Sequence, residues 1–318
     1  QGYSVQTLAS DPTAANAEGQ LWYNTTSSTW KIATGGAGAW ASGGALNNCN
    51  RQQAGAGTQT AGLSIGGYDV PGGLGMSFNK TEEYDGTSWT EVNVLGYPRY
   101  GNIGCGPQTA ALTTAGWDQS PSNPDGSYLD NTELYNGTTW TETADLLAAR
   151  SDTEGCGTQT AALCYGGTPP STRRANEEFN GTSWSEEADL VADAVGSTGI
   201  GTATAALCAG GGGPPGGTTR SEEWNGTAWA EGNNLNAARR FPGFSGTQTA
   251  SMFVSGWTSP ESGSPLVEQY DGTCWSEVAD VANGRAFCSG STAAANTATM
   301  VWGGDPPSAG CTTGTEEW

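Results

Sequence analysis

Two short patterns alternate along this chain, and no other feature restricts its fold as tightly. The first is an aromatic residue, Asn or Asp, Gly, Thr, any residue, then Trp. It reads Tyr84-Asp85-Gly86-Thr87-Ser88-Trp89, then Tyr135 to Trp140, Phe179 to Trp184, Trp224 to Trp229 and Tyr270 to Trp275. The closing Trp recurs every 44 to 51 residues. Asn-Gly and Asp-Gly tolerate positive φ and mark tight hairpins. The second pattern is a run of small residues ending in Gly, as in GTQTAALCYGG. It occurs in six copies, ending at Gly67, Gly116, Gly167, Gly211, Gly256 and Gly304. Units of this size bury their faces only against neighbouring units.

Each copy reads as four short strands, A to D. Strand A is the GCG-type segment, B the AALCYGG-type run, C the Glu-Glu-aromatic segment, and D starts at the Trp. Small residues on A suit a crowded axis, and large aromatics on C and D suit a wedge that widens outward. The ends support closure of the array. Glu316-Glu317-Trp318 aligns with Glu82-Glu83-Tyr84, so the last copy has no D strand. Gly38-Ala39-Trp40-Ala41 reads as an orphan D strand, so Trp40 is expected to meet Trp318 and close the ring.

The order of these motifs resembles kelch repeats: an Arg, two strands ending in diglycine, then an aromatic and a Trp. Arg51, Arg99, Arg150, Arg239 and Arg285 stand at the Arg position, with Ala194 in one copy. Two copies carry a single Gly, preceded by Ala115 and Ser255. The resemblance covers residues 38–318 and implies an all-β, six-bladed β-propeller of four-stranded antiparallel blades. Residues 1–37 form a separate arm, in which GQLWYNTTSSTWKI (Gly19–Ile32) reads as a β-hairpin and the preceding LASDPTAANAEGQ as a loop.

Charge and composition exclude several functions. The formal net charge is −21, with two lysines and no histidine among 318 residues. Nucleic acid and anionic membranes need basic patches, so neither is an expected partner. No apolar run is long enough for a membrane helix, and no signal peptide is recognisable. The chain starts at Gln1 and not Met, so it reads as processed or as a fragment. Without His, the commonest general base and metal ligand are missing. Some kelch-type propellers are copper oxidases using Tyr and His, and that implication fails here. Neither an enzyme activity nor a cofactor is expected. The eight cysteines read mostly as small buried residues, with Cys49–Cys288 the one candidate disulfide.

Antiparallel order puts the short A–B and C–D turns on one face and the long, varied B–C loops and D–A connections on the other. Varied loops on a rigid scaffold are the expected binding surface. Tyr68, Trp117, Tyr128 and Trp257 lie in those loops as candidate platforms for sugar faces. Packing against a neighbouring blade is the plainer explanation for Trp117 and Trp257. Arg173 and Arg174 form a rare basic spot, either a ligand contact or simply exposed. Asp118–Asp130 is rich in oxygen donors but matches no standard calcium loop. The repeated strand-C glutamates, and the set Gln59, Gln108, Gln159 and Gln248, are expected to be structural. The arm is expected to leave from the short-turn face.

The Gly19–Ile32 hairpin and the GTQTA and NGTSW arrays resemble bacteriophage tail-fibre and virion structural proteins, particularly of marine and cyanobacterial viruses. That resemblance implies a non-catalytic tail-fibre or appendage component on the virion surface. Residues 1–37 would join other virion proteins or copies of the chain, and the long-loop face would contact a host glycan or protein. The alternative is a secreted bacterial adhesin or lectin-like, carbohydrate-binding propeller. Raised pKa values on a carboxylate pair in the varied face would reopen an enzymatic reading.

Overall fold

The computed structural model describes residues 6–8, 21–24, 29–32, 38–69, 76–212, 217–258, 262–292, 296–307 and 310–318. The chain divides into two compact units, Gln1–Ala39 and Trp40–Trp318. In the smaller unit, Leu21–Asn24 and Thr29–Ile32 form the hairpin, with Tyr23 opposite Trp30. Gln6–Leu8 adds a parallel strand beside Leu21–Asn24, so Leu8 is not in a loop as its sequence suggests. The rest of that loop, the hairpin turn and residues 33–37, on which the expected exit of the arm depends, lie outside the described residues.

Among the described residues, the larger unit holds six four-stranded antiparallel sheets. Blade 3 is representative: strands Glu154–Thr158, Ala161–Tyr165, Asn176–Phe179 and Trp184–Glu186 pair in that order. Blade 6 is composite. Its strands Ser289–Gly290, Met300–Trp302 and Thr315–Glu317 are completed by Ala41–Ser42 from the other end of the chain. Glu316 pairs with Ser42 and Glu317 with Ala41. The Trp40 and Trp318 rings lie 5.5 Å apart. No helix among the described residues is long and apolar enough to cross a membrane.

The inner strands come together backbone to backbone. A Cβ on Gly104 would lie 2.7 Å from the Gly55 carbonyl oxygen, and one on Gly199 would lie 2.5 Å from the Gly155 nitrogen. Only glycine permits that approach.

The repeated polar residues staple each blade to the next. Gln108 Nε2 donates to the carbonyls of Gly62 and Tyr84 in the preceding blade, and Gln159 and Gln248 do the same one and three blades on. Gln59 repeats part of this across the seam, donating to Trp318 O at 3.1 Å. Tyr84, Tyr135 and Tyr270 donate to Glu317, Glu83 and Glu223 of the blade before. Within each turn the Asn or Asp carbonyl side accepts from two backbone N–H groups, as Asn136 Oδ1 does from Thr138 and Thr139 at 2.9 Å. These bonds hold the Asp85 and Asp271 carboxyls below the usual range.

The first glutamate of strand C serves its own blade. Glu133 Oε1 accepts from Arg99 Nη2 at 2.8 Å, and Glu133 Oε2 from the Gly96 N–H at 2.7 Å. Arg150–Glu177, Arg239–Glu268 and Arg285–Glu316 repeat the pair, all buried. Burial pulls the Arg99 and Arg239 guanidinium groups down, and their glutamates oppose that. In blade 4, Ala194 leaves the Arg position empty and Arg220 takes over Glu222 at 2.8 Å.

Two expectations need correction. Arg51 does not occupy the Arg position of blade 1. Asn50 does, donating to Gly66 O at 2.8 Å where Arg99 donates to Ala115 O. Arg51, one residue on, pairs with Asp305. The disulfide is Cys49–Cys311, with Cα atoms 5.7 Å apart, and not Cys49–Cys288. The connection into blade 1 runs beside the B–C loop of blade 6, where Asn50 bridges Thr312. Cys288 is a buried free thiol that burial pushes up to about 11.

Removing one partner of a buried ion pair leaves the other charge unpaired. Glu133→Gln is therefore expected to cost about 3–5 kcal/mol in urea unfolding. Glu91→Gln at the exposed Lys80–Glu91 contact of 3.1 Å should change less than about 1 kcal/mol. Equal effects would refute the structural role of the buried pairs. Cys311→Ser should lower stability by about 2–4 kcal/mol, and peptide mapping without reductant should recover Cys49 joined to Cys311.

Candidate binding face and axial cavity

The B–C loops of blades 1, 2 and 5 carry small hairpins of their own. Tyr68–Asp69 pairs with Met76–Ser77, Trp117–Asp118 with Ser127–Tyr128, and Trp257–Thr258 with Ser262–Gly263. In Asp118–Asp130, Asn123 Nδ2 bonds both Asp118 O and Ser127 Oγ, tying the hairpin together.

The candidate rings pack on one another and on arginines. Trp117 meets Tyr128 edge-on at 4.6 Å. Tyr68 meets Tyr100 edge-on at 4.9 Å, and Arg51 lies over Tyr68 at 5.0 Å and over Phe287 at 5.9 Å. Phe287 stacks on Phe241 at 4.3 Å and tilts against Trp257 at 5.5 Å. Arg240 lies over Trp257 at 4.2 Å. A backbone bridge between Tyr100 and Trp117 joins the two groups. Tyr68, Trp117, Tyr128 and Trp257 thus belong to one arc from blade 2 through blades 1 and 6 to blade 5. Arg173 and Arg174 do not join it. They pair with Asp193 at 3.7 and 3.1 Å.

Inside the arc is a ring that the motif comparison missed. Two residues after the Arg position stand Gln52, Gly101, Asp152, Gly196, Phe241 and Phe287. All six have positive φ, between 49° and 63°. Their peptides hydrogen-bond from blade to blade about the axis. Gly101 donates to Gln52 O at 2.8 Å, Phe287 to Phe241 O at 2.9 Å, and Gln52 to Phe287 O at 2.9 Å. Glycine meets this backbone without cost, yet four copies keep a side chain there, and Phe at such φ is a genuine outlier. The two glycines were the available signal in the sequence.

These residues line a cavity of about 80 Å³. Its walls include Gln52, Gln53, Asn102, Asp152, Glu154 and Phe287. Asp152 Oδ1 accepts from Gln52 Nε2 at 3.1 Å. Burial pushes the Asp152 carboxyl up to about 6, with Gln52 and Arg240 pulling it down. Glu154 is buried, and no described donor reaches its carboxylate. Burial, and then the neighbouring Asp152, raise it well above the usual carboxylate range. Burial and Asp152 also push Tyr100 up to about 12.

No protein-family model matches the chain, and no curated protein does. Among solved structures, one described as the structure of YjhT superposes with a TM-score of 0.69 at 12% identity, covering 85% of this chain and 95% of that one. Likeness at that identity concerns architecture, and it agrees with the sheet order: the chain is a six-bladed β-propeller.

Proposed function

We propose that this propeller is a non-catalytic virion component, part of a tail fibre or appendage, that attaches to a host surface through its long-loop face. The observation that carries the reading is the arc of rings and guanidinium groups from Tyr128 to Arg240. Aromatic side chains fixed on a rigid scaffold lose little entropy on binding and offer flat faces to sugars or protein loops. On this reading residues 1–37 join the particle or further copies of the chain. The Cys49–Cys311 bond suits work outside a reducing compartment. A secreted adhesin or lectin-like propeller would use the same face and differ in what the arm joins.

The carboxyl pair Asp152 and Glu154 favours a second reading, acid–base catalysis. Its cavity of about 80 Å³ is smaller than one that holds benzene, roughly 150 Å³. A glycoside could not enter it, so binding is the preferred reading.

Trp257→Ala and Trp117→Ala should each weaken adsorption to host cells or to the recognised glycan by about five- to hundredfold, as for truncated interface anchors, with Tm nearly unchanged. Undiminished adsorption by both folded variants would remove the long-loop face from consideration. Labelled antibody against the propeller, imaged on intact particles, should mark an appendage. Label on host cells alone would leave the adhesin.

A further inference from the structure

The wall of the axial cavity carries the carboxyl groups of Asp152 and Glu154, and buried amide oxygens without partners lie behind it. Gln53 and Asn102 are 5% and 7% exposed. Gln53 Nε2 donates to Trp302 O at 3.0 Å, and Asn102 Nδ2 donates to Thr113 Oγ1 at 2.9 Å. Their nitrogens are thereby committed to the blades, and Gln53 Oε1 and Asn102 Oδ1 are left buried without a partner. Such groups cost stability unless something satisfies them. Glu154, 7% exposed, lines the cavity and has no hydrogen bond to its carboxylate among the described residues. Asp152 has only the bond from Gln52. On the same cavity, Phe241 and Phe287 present a stacked aromatic pair.

We infer that the axial cavity binds a primary ammonium group on a short carbon stem. The ammonium would donate to Asp152 and Glu154, and its stem would lie along Phe241 and Phe287. An ammonium carries three donors, no acceptor and a positive charge, and it is attracted to aromatic faces as well as to carboxylates. A metal ion suits the site less. No group of three Asp, Glu, Cys or His side chains converges among the described residues, and an aromatic pair gives a hard cation no ligand. The net charge of −21 favours approach of a cation.

The charged neighbours set the pH dependence. Arg240 acts on Asp152, and Asp152 acts on Glu154. Cys164, Cys208 and Tyr165 lie near Glu154, and burial holds all three neutral. A bound cation favours the ionised carboxylates, so binding must release protons and tighten as pH rises through about 6, where Asp152 titrates.

The test is calorimetric titration of the whole chain with n-butylammonium chloride from pH 5 to 8, in buffers of different ionisation enthalpy. Saturable binding is expected, with Kd on the order of 1 mM at pH 8. It should weaken by up to about tenfold per pH unit in the acidic range and release protons. n-Butanol should not saturate. Glu154→Gln should weaken binding about tenfold or more and keep the fold, because Glu154 has no hydrogen bond to lose. If that variant does not fold, the pH series on the unmodified chain decides. Nα-acetyl-lysine methylamide, whose side chain carries the same ammonium on a four-carbon stem, should bind as n-butylammonium does. The inference is overturned by any of three results. These are no saturation by about 50 mM amine, equal binding of n-butanol, or saturable calcium binding that Glu154→Gln abolishes.

Discussion

Six inner strands must share one axis, and that crowding governs the rest of the molecule. Where Gly290 stands, a Cβ would lie 2.2 Å from the Phe244 carbonyl oxygen, and where Gly55 stands, 2.3 Å from Ser289 Oγ. The strands approach this closely because their inner positions carry little or no side chain. Further out the blades diverge, and Tyr84, Trp89 and Trp302 fill the gap between blades 1 and 6. Polar staples occupy what the wedge leaves over. Glutamines sit at the short-turn edge, Arg–Glu pairs at the long-loop edge, and Tyr–Glu bonds lie between them.

The seam, where Ala41–Ser42 completes the sheet of Thr315–Glu317, uses contacts that recur at other blade junctions. Tyr84 donates to Glu317, Trp89 Nε1 to Thr315 Oγ1 at 3.1 Å, and Gln59 to Trp318 O. Strand pairing adds a second tie and the Cys49–Cys311 bond a third. A linear repeat array unravels from its ends, because terminal units have one neighbour. Here no unit is terminal. The composite sixth blade thus turns six weak nearest-neighbour interfaces into one closed cooperative unit.

Comparing the copies with one another reads out what the blades share, and this made the blade number, strand order and seam legible. It fails where a blade departs from its fellows. Asn50 replaces Arg in blade 1, and the adjacent Arg51 drew the register off by one. Counting five residues back from the strand-A glycines Gly55, Gly104 and Gly155 would have set it right. Cys311 lies in a B–C loop of variable length, so no repeat position indicates what it faces. The aromatic candidates were visible as residue types, but their mutual packing depends on which loops lie side by side. Asp152 and Glu154 occur once each, and a single acidic residue on an inner strand has no counterpart to mark it.

That asymmetry separates the needs of the fold from those of a site. Gly101 and Gly196 show that the axial ring forms with glycine at φ near 60°. Gln52, Asp152, Phe241 and Phe287 hold the same backbone at a cost of about 1–2 kcal/mol per residue. Glu154 adds a buried carboxyl without a partner, and Gln53 and Asn102 add unsatisfied oxygens. Gln53 and Asn102 tie their blades to neighbours through their nitrogens, but no such bond is made by the Glu154 carboxylate among the described residues. These groups gather at one end of one axis, around one cavity. Scattered defects of a repeat array would fall in any blade and at any depth. Four of the six non-glycine residues of positive φ among the described residues stand around this one recess, and strain gathered in that way is a mark of a functional site.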